Sequence, residues 1–379
     1  MANTKGNRIY MFANFGKWKK IPFGGGEVGN RRTSHLLKKA GFQVVAISKY
    51  NSLNIANKFL KHTVSAFKMP FCVLKFFVIL LFGSRKAITH IVGFSGRMIF
   101  FELCLINIAK TLGYKVVYEL RGGGATTFYE QGNKFYRRHF RLAIRKADCI
   151  FSQSTINEPL IKQLVPDADL FYYPNYVMPS FIPDSCPTKP ADSLHLIYFG
   201  RIVPSKHVEI VIDTFAIVQS RFQQSTLDII GDYLDSHYYR ILKNMVAEKK
   251  MADKVKFYSA CSQHQLADYL FDKHFFLLPS TEGHEGHSNS LTEAMAWGII
   301  PITTWQGDNF NVLNNNRLIV NQLSAQDFAD IVFSVVEEGS IKQLSTEVYN
   351  RVRNNYHYSM VCNQVKEKYE LLFRQWFDS

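Results

Sequence analysis

The chain has 379 residues, 47% of them hydrophobic, with 45 Lys and Arg against 31 Asp and Glu, a formal charge of +14. That is length for two domains and the apolar content of a globular protein, and the cationic excess suits an anionic partner: a nucleic acid, a membrane surface or an anionic substrate. Six scattered cysteines form no C-x-x-C pair, which excludes a zinc or redox motif of that kind and favours a reducing compartment. The first ten residues hold no apolar core of a secretory signal. The longest apolar run, residues 69–83 broken by Lys75, falls short of the ~20 residues a membrane span requires.

Taken in order, residues 8–12 read as a first strand, 31–40 as a helix and 43–47 as a second strand. Between the first strand and that helix, Gly24, Gly26 and Gly29 match G-x-G-x-x-G. A dinucleotide fold needs that turn directly after the strand and an acid about 20 residues on. Here the glycines stand well past the strand, and Ser48 and Lys49 occupy the second strand's end, so a glycine loop whose backbone approaches a ligand or the facing domain is the expectation. Residues 55–68 and 69–82 read as two helical or buried segments. Their mixture of Lys58, Lys61, Phe67, Lys68, Phe71, Lys75, Phe76 and Phe77 suits a surface resting on lipid headgroups, or a core helix with basic flanks. Strands at 88–92 and 115–120 bracket a helix over 98–112, and the second strand runs into Arg121 and three glycines. A basic helix over 135–146, strands at 148–152 and 171–173, and a segment 178–191 with four prolines follow. The prolines mark a linker and the domain boundary.

The second half repeats the alternation: strands at 194–199, 227–230, 255–258, 275–278 and 299–303, helices at 207–221, 238–248 and 263–271, and a largely helical end over 345–377. Two successive βα domains predict an α/β protein of two doubly wound parallel sheets. The stretch 281–305 holds Glu285 and Glu293, separated by seven residues rich in Gly, Ser and Asn, with a helix starting after Ser288 and stopping at Gly298. A helix start offers unsatisfied N–H groups and partial positive charge to a phosphate. A carboxylate on either side can grip hydroxyls, each such bond worth roughly 1.5–3 kcal/mol. A phosphate between two hydroxylated rings is a nucleotide sugar; the competing reading is a solvated loop before an amphipathic helix. Upstream, Gly200, Arg201 and Lys206 follow a strand end, where two cations make a clamp for a diphosphate. They would also stabilise a departing nucleoside diphosphate without a metal. Asp167-Ala168-Asp169 has the form of a metal-holding D-x-D, but its place in a loop of the first domain makes it incidental. His284-Glu285-Gly286-His287 is one residue short of a zinc helix motif. No RNA- or DNA-binding module is present.

These residues resemble the two-lobed (GT-B) glycosyltransferases of family 4, which retain anomeric configuration. In the second half the resemblance rests on Tyr198-Phe199-Gly200-Arg201 with Lys206, Ile229-Ile230-Gly231-Asp232, Leu278-Pro279-Ser280, Glu285 with Glu293-Ala294-Met295-Ala296, and Gly298 to Pro301. In the first half it rests on Gly24 to Glu27, Ala147 to Ile150 with Ser152, and Pro174-Asn175. It implies two Rossmann-like domains facing across a cleft, 1–185 binding acceptor and 186–350 binding donor, with 351–379 a helix returning to the first. By the same resemblance Arg201 and Lys206 would hold the diphosphate, and Glu285 the donor sugar. Asn289, Ser290 and Leu291 would offer backbone N–H groups to the phosphate, Glu293 would bind the ribose, and Gly25 and Gly26 would line the cleft. Arg121 stands near where the family often has a histidine and is assigned to donor or acceptor. His287-Ser288 replaces the family's usual Phe-Gly, with consequences for donor preference. No cofactor or metal is implied beyond the nucleotide sugar. The implied acceptor is a glycan or lipid-diphosphate-linked glycan of bacterial capsule, O-antigen or exopolysaccharide synthesis, at the inner face of the cell membrane. The alternative is a non-catalytic protein of the same fold on an anionic membrane.

Overall fold

The computed structural model describes residues 7–16, 24–49, 58–93, 96, 98–233, 235–281 and 285–377, with side chains from Gly26 in the first helix and Phe67 in the second. The expectations placed on residues 55–57 and 282–284, and on the side chains of Lys58 and Lys61, lie outside them. The chain divides into two compact units, Met1–Pro174 with Val361–Ser379, and Asn175–Met360.

The first unit is built from β1 (Arg8–Ala13), α1 (Gly24–Lys39), β2 (Gln43–Ser48), α2 (Lys58–Leu81), β3 (Ala87–Gly93), α3 (Ile99–Thr111), β4 (Lys115–Leu120), α4 (Ala125–Gln131), α5 (Lys134–Lys146), β5 (Cys149–Ser152), α6 (Glu158–Leu164) and β6 (Leu170–Tyr172). Its parallel sheet has the order β2-β1-β3-β4-β5-β6. The second holds β7 (His195–Phe199), α7 (Val208–Arg221), β8 (Thr226–Ile230), α8 (Ser236–Glu248), β9 (Val255–Tyr258), α9 (Gln263–Leu270), β10 (Phe275–Leu278), α10 (Asn289–Met295), β11 (Ile300–Thr303), α11 (Asn309–Leu313), α12 (Ala325–Glu337) and α13 (Ile341–Asn355). Its parallel sheet has the order β11-β10-β7-β8-β9. A strand covered on both faces reads as an unbroken apolar run, and Phe275, Phe276, Leu277 and Leu278 of β10 are all buried. The closing helix α14 (Tyr358–Phe377) returns to the first unit. It buries Val361, Val365, Tyr369, Leu372 and Phe373, one face at helical spacing, and stacks Phe373 on Phe42.

Several elements differ from the pattern in the sequence. Gly24, Gly25 and Gly26 form the first turn of α1 rather than a free loop; the helix continues back from the apolar Leu36 and Leu37, both fully buried. Residues 58–81 are one helix running through Pro70, not two segments. Proline breaks an isolated helix, but Phe76 and Leu80 anchor this one in the core, with Phe76 edge-on to Phe12 at 5.5 Å. The units part at Pro174, upstream of the expected boundary at 185/186. Val177 pairs with His357, and Phe181 is buried against Trp297, so the proline segment is woven into the second unit. The second crossing falls at Met360, where 350/351 is expected. The helices α4, α6, α11 and α12 have no counterpart in the sequence reading; three are short. The fourth has a legible signal, Ser324 accepting from the Asp327 N–H at its N-cap. Gly298 ends α10 at φ +63°, a conformation glycine adopts without strain.

Candidate active site

In the second sheet β7 lies between β10 and β8. The chain therefore leaves β7 towards one side of the sheet and β10 towards the other, and the loops beyond their carboxyl ends open a crevice where ligands of such folds settle. The loop after β7 supplies Gly200, Arg201 and Lys206, and the loop after β10 supplies Ser280 and Glu285. These loops are tied together: the Thr281 N–H donates to Ser205 O at 3.0 Å, and His207 Nε2 meets Thr281 Oγ1 at 2.8 Å. Arg201 is exposed, and its carbonyl accepts from the Tyr198 hydroxyl at 2.7 Å.

Lys206 is buried, and its ammonium donates to Glu285 Oε1 at 2.7 Å, Glu285 Oε2 at 2.6 Å and Ser280 Oγ at 3.2 Å. The Ser280 hydroxyl in turn donates to Glu285 Oε2 at 2.6 Å. The three donors of an ammonium thus face three acceptors. Burial of a charge is tolerated when it is paired in this way. From the far side, the Asp308 N–H donates to Gly286 O at 3.3 Å and Thr304 Oγ1 to Ser280 O at 2.6 Å. The loop after β11 thus braces the acid.

Asn289, Ser290 and Leu291 form the first turn of α10, and the Ser288 side chain does not cap it; its hydroxyl meets that of Ser290 at 3.1 Å. Glu293 lies one turn in and accepts from Gln263 Nε2, at the start of α9, at 2.9 Å. The structure thus joins Lys206 to Glu285 and gives Glu293 a partner of its own. Ser280 and Gln263 are the contacts that the sequence reading does not assign. Ser280 had a signal, a hydroxyl two residues past a buried apolar strand; Gln263 had none.

His287 does not face outward. It is buried edge-on to Tyr356 at 4.8 Å, bonds Thr292 Oγ1 through Nε2, and its carbonyl accepts from Asn175 Nδ2 at 2.6 Å. Burial, with the nearby Arg351 charge, lowers its pKa from 6.5 to about 3. The ring is neutral in the fold and protonates only in the unfolded chain between those values. Stability attributable to His287 is therefore complete above about pH 6.5 and falls as pH drops towards about 3. His287→Asn is expected to flatten this acid limb, read as a smaller difference in urea midpoint between about pH 7 and about pH 4 than in the parent.

Arg121 belongs to the first unit. It is buried after β4, its Nε 2.6 Å from Glu119 Oε1 and its Nη2 donating to Thr33 Oγ1 of α1 at 2.8 Å. Thr33 Oγ1 also meets the Tyr173 hydroxyl at 2.8 Å. On its other side Glu119 accepts from His90 Nε2 at 2.7 Å, and His90 Nδ1 meets the Tyr369 hydroxyl of α14 at 2.6 Å. Burial pushes the Glu119 carboxyl up, but the Arg121 charge, with the His90 hydrogen bond and charge, outweighs it and holds the group below the usual carboxylate range. One polar chain therefore runs from α1 through β4 and β3 to α14. Gly25 and Gly26 head α1, and Gly29 of that helix is where the Arg121 guanidinium packs; a Cβ there would stand 1.9 Å from Nη1. Asp169 of the D-x-D pairs with Lys368. Among the described residues no group of three or more His, Cys, Asp or Glu could hold a metal ion.

Residues 187–355, most of the second unit and including its Lys206–Glu285 cluster, match the family described as glycosyl transferases group 1. The GDP-mannose:cellobiosyl-diphosphopolyprenol alpha-mannosyltransferase of Xanthomonas oryzae pv. oryzae is 34% identical over 110 residues, 28% of this chain and 27% of that one. Matches to curated relatives span 27% and 47% of those proteins' lengths. Among solved structures, sucrose-phosphate synthase from Thermosynechococcus elongatus superposes with a TM-score of 0.73 over 97% of this chain and 100% of its own, at 17% identity. Anabaena HepE in complex with UDP gives 0.71 over 96% and 99%, at 14% identity. At these identities the likeness establishes the fold, the two Rossmann-like domains of GT-B glycosyltransferases.

Proposed function

We propose that this protein is a retaining glycosyltransferase of family 4 that moves a sugar from a nucleoside-diphosphate donor to a hydroxyl of a glycan or lipid-linked glycan. The observation that supports it most is the buried Lys206–Glu285–Ser280 cluster at the switch point of the second sheet. In this reading the donor's diphosphate exchanges for part of the Glu285 grip on Lys206, and Arg201 at the exposed side adds the second cation. Released from part of that bond, Glu285 accepts from hydroxyls of the donor sugar. Asn289, Ser290 and Leu291 present backbone N–H groups to the phosphate, and Glu293 takes the ribose hydroxyls. The acceptor oxygen bonds to the anomeric carbon as the bond from that carbon to the diphosphate oxygen breaks. The acceptor's proton passes to a leaving phosphate oxygen on the same face. Two cations offset the charge left behind, so no metal enters the proposed chemistry. The GDP-mannose and diphosphopolyprenol in the Xanthomonas relative's name and the UDP in the HepE complex support a nucleotide-sugar donor and a lipid-diphosphate acceptor. We assign the protein to bacterial surface-polysaccharide synthesis at the inner face of the membrane.

The test is thermal shift with UDP, GDP and ADP, followed by hydrolysis and transfer assays on the matching nucleotide sugars. Saturation at about a hundred times Kd is expected to add about 2.7 kcal/mol to stability. A chain stabilised by none of the three, and inert on every donor, would favour a non-catalytic protein of this fold.

A further inference from the structure

The helix α2 is apolar on two opposite faces. Phe76 and Leu80 are fully buried in the first unit's core. Phe67, Phe71, Leu74, Val78 and Leu81 are exposed, with Phe67 at 72% and Phe71 at 71%, and Phe82, just past the helix, is at 83%. At 3.6 residues per turn these six positions fall within about 100° of arc, on the side away from the core. A surface helix of a globular protein ordinarily turns polar residues to solvent, so a second apolar face needs an occupant.

The stripe does not end at α2. Phe77 of α2, Phe100 and Leu103 of α3, and Phe135 and His139 of α5 line one groove, where Phe100 stacks on Phe135 at 5.1 Å. Phe100 and Phe135 are themselves exposed. The charged side chains that α2 and α5 bring to this strip have one sign. Neither α2 nor α5 contains an Asp or Glu, and the Glu102 carboxylate of α3 is buried on the Tyr118 hydroxyl. Lys68 and Lys75 are exposed along one flank of the α2 stripe; Lys134, Arg137, Arg138, Arg141, Arg145 and Lys146 are exposed on α5. No helix among the described residues is long and apolar enough to cross a membrane. An apolar strip edged by cations is the pattern of an element that lies in the bilayer interface, apolar side among the acyl chains and cations at anionic headgroups.

We propose that α2, with Phe82, Phe100 and Phe135, is a docking surface for an anionic phospholipid bilayer. Phe67, Phe71 and Phe82 enter the headgroup boundary while Lys68, Lys75, Arg138 and Arg145 contact lipid phosphates. This deepens the lipid-linked acceptor of the proposed function and rests on that reading for its purpose, but vesicle binding needs neither donor nor acceptor. Failure of the one is therefore distinguishable from failure of the other.

The full chain is to be co-sedimented with phosphatidylcholine vesicles containing about 30% phosphatidylglycerol, and with phosphatidylcholine alone. Binding is expected to the anionic vesicles and to weaken at least tenfold on the neutral ones, and about as much in Phe67→Ser/Phe71→Ser/Phe82→Ser. Arg138→Gln/Arg145→Gln is expected to weaken the anionic binding alone. Both variants alter exposed residues of the first unit, so an unchanged melting temperature shows them folded. A parent chain that stays in the supernatant with both vesicles, or a triple variant that binds as the parent does, would overturn the proposal. So would a dimer in sedimentation velocity that the three serines convert to monomer, since the strip would then be a self-interface.

Discussion

Lys206→Ala and Glu285→Gln are each expected to lower kcat/KM for sugar transfer by at least about 10²–10³-fold, the loss associated with one preorganised charge-stabilising group. The two substitutions should differ in stability. Lys206→Ala leaves the largely buried Glu285 carboxylate with Ser280 and no cation, and breaking a buried pair costs about 3–5 kcal/mol. Glu285→Gln keeps the shape and an oxygen for the ammonium and should cost less. The double variant Lys206→Met/Glu285→Gln removes both charges, so its urea midpoint should recover relative to Lys206→Ala while transfer stays lost. Parent-level turnover in either single variant would remove these two residues from the donor site.

The second large effect lies in the first unit. Arg121→Met is expected to cost about 3–5 kcal/mol in urea unfolding, because Glu119 remains fully buried and keeps His90 but loses its guanidinium partner. The pH dependence gives the sign. With its folded pKa below the unfolded value, Glu119 contributes stability that is present above the unfolded pKa and lost as pH falls through the folded one. Removing the Arg121 charge takes away the largest of the causes that lower this pKa, so the acid transition should begin at higher pH. Arg121→Lys keeps the charge and gives up the fork that reaches both Glu119 and Thr33. If Arg121 also contacts donor or acceptor, as the resemblance implies, this variant loses turnover at temperatures where it is fully folded. Unchanged turnover there confines Arg121 to holding α1 against β4.

Much of this protein is determined by local pattern. The run Phe275–Leu278 is a strand between helices because four adjacent apolar side chains can all be buried only in a sheet covered on both faces. Gly298 stops α10 for a backbone reason that neighbouring residues alone specify. The alternation of such runs with amphipathic helices was enough to read two doubly wound domains, and the residues 200–206 and 285–293 were enough to mark donor-site candidates. What local pattern could not determine is which of them meet. Lys206 and Glu285 stand 79 residues apart and touch because β10, not β8 alone, lies beside β7; strand order is set by the packing of whole layers. Arg121 reads as a loop cation, yet it is buried because it donates to Thr33, 88 residues before it, and pairs in charge with Glu119. Residues 55–68 and 69–82 read as two segments, yet α2 runs unbroken through Pro70 because one of its faces is anchored in the core. Only tertiary structure weighs a local penalty against contacts made far along the chain, and it decided these three.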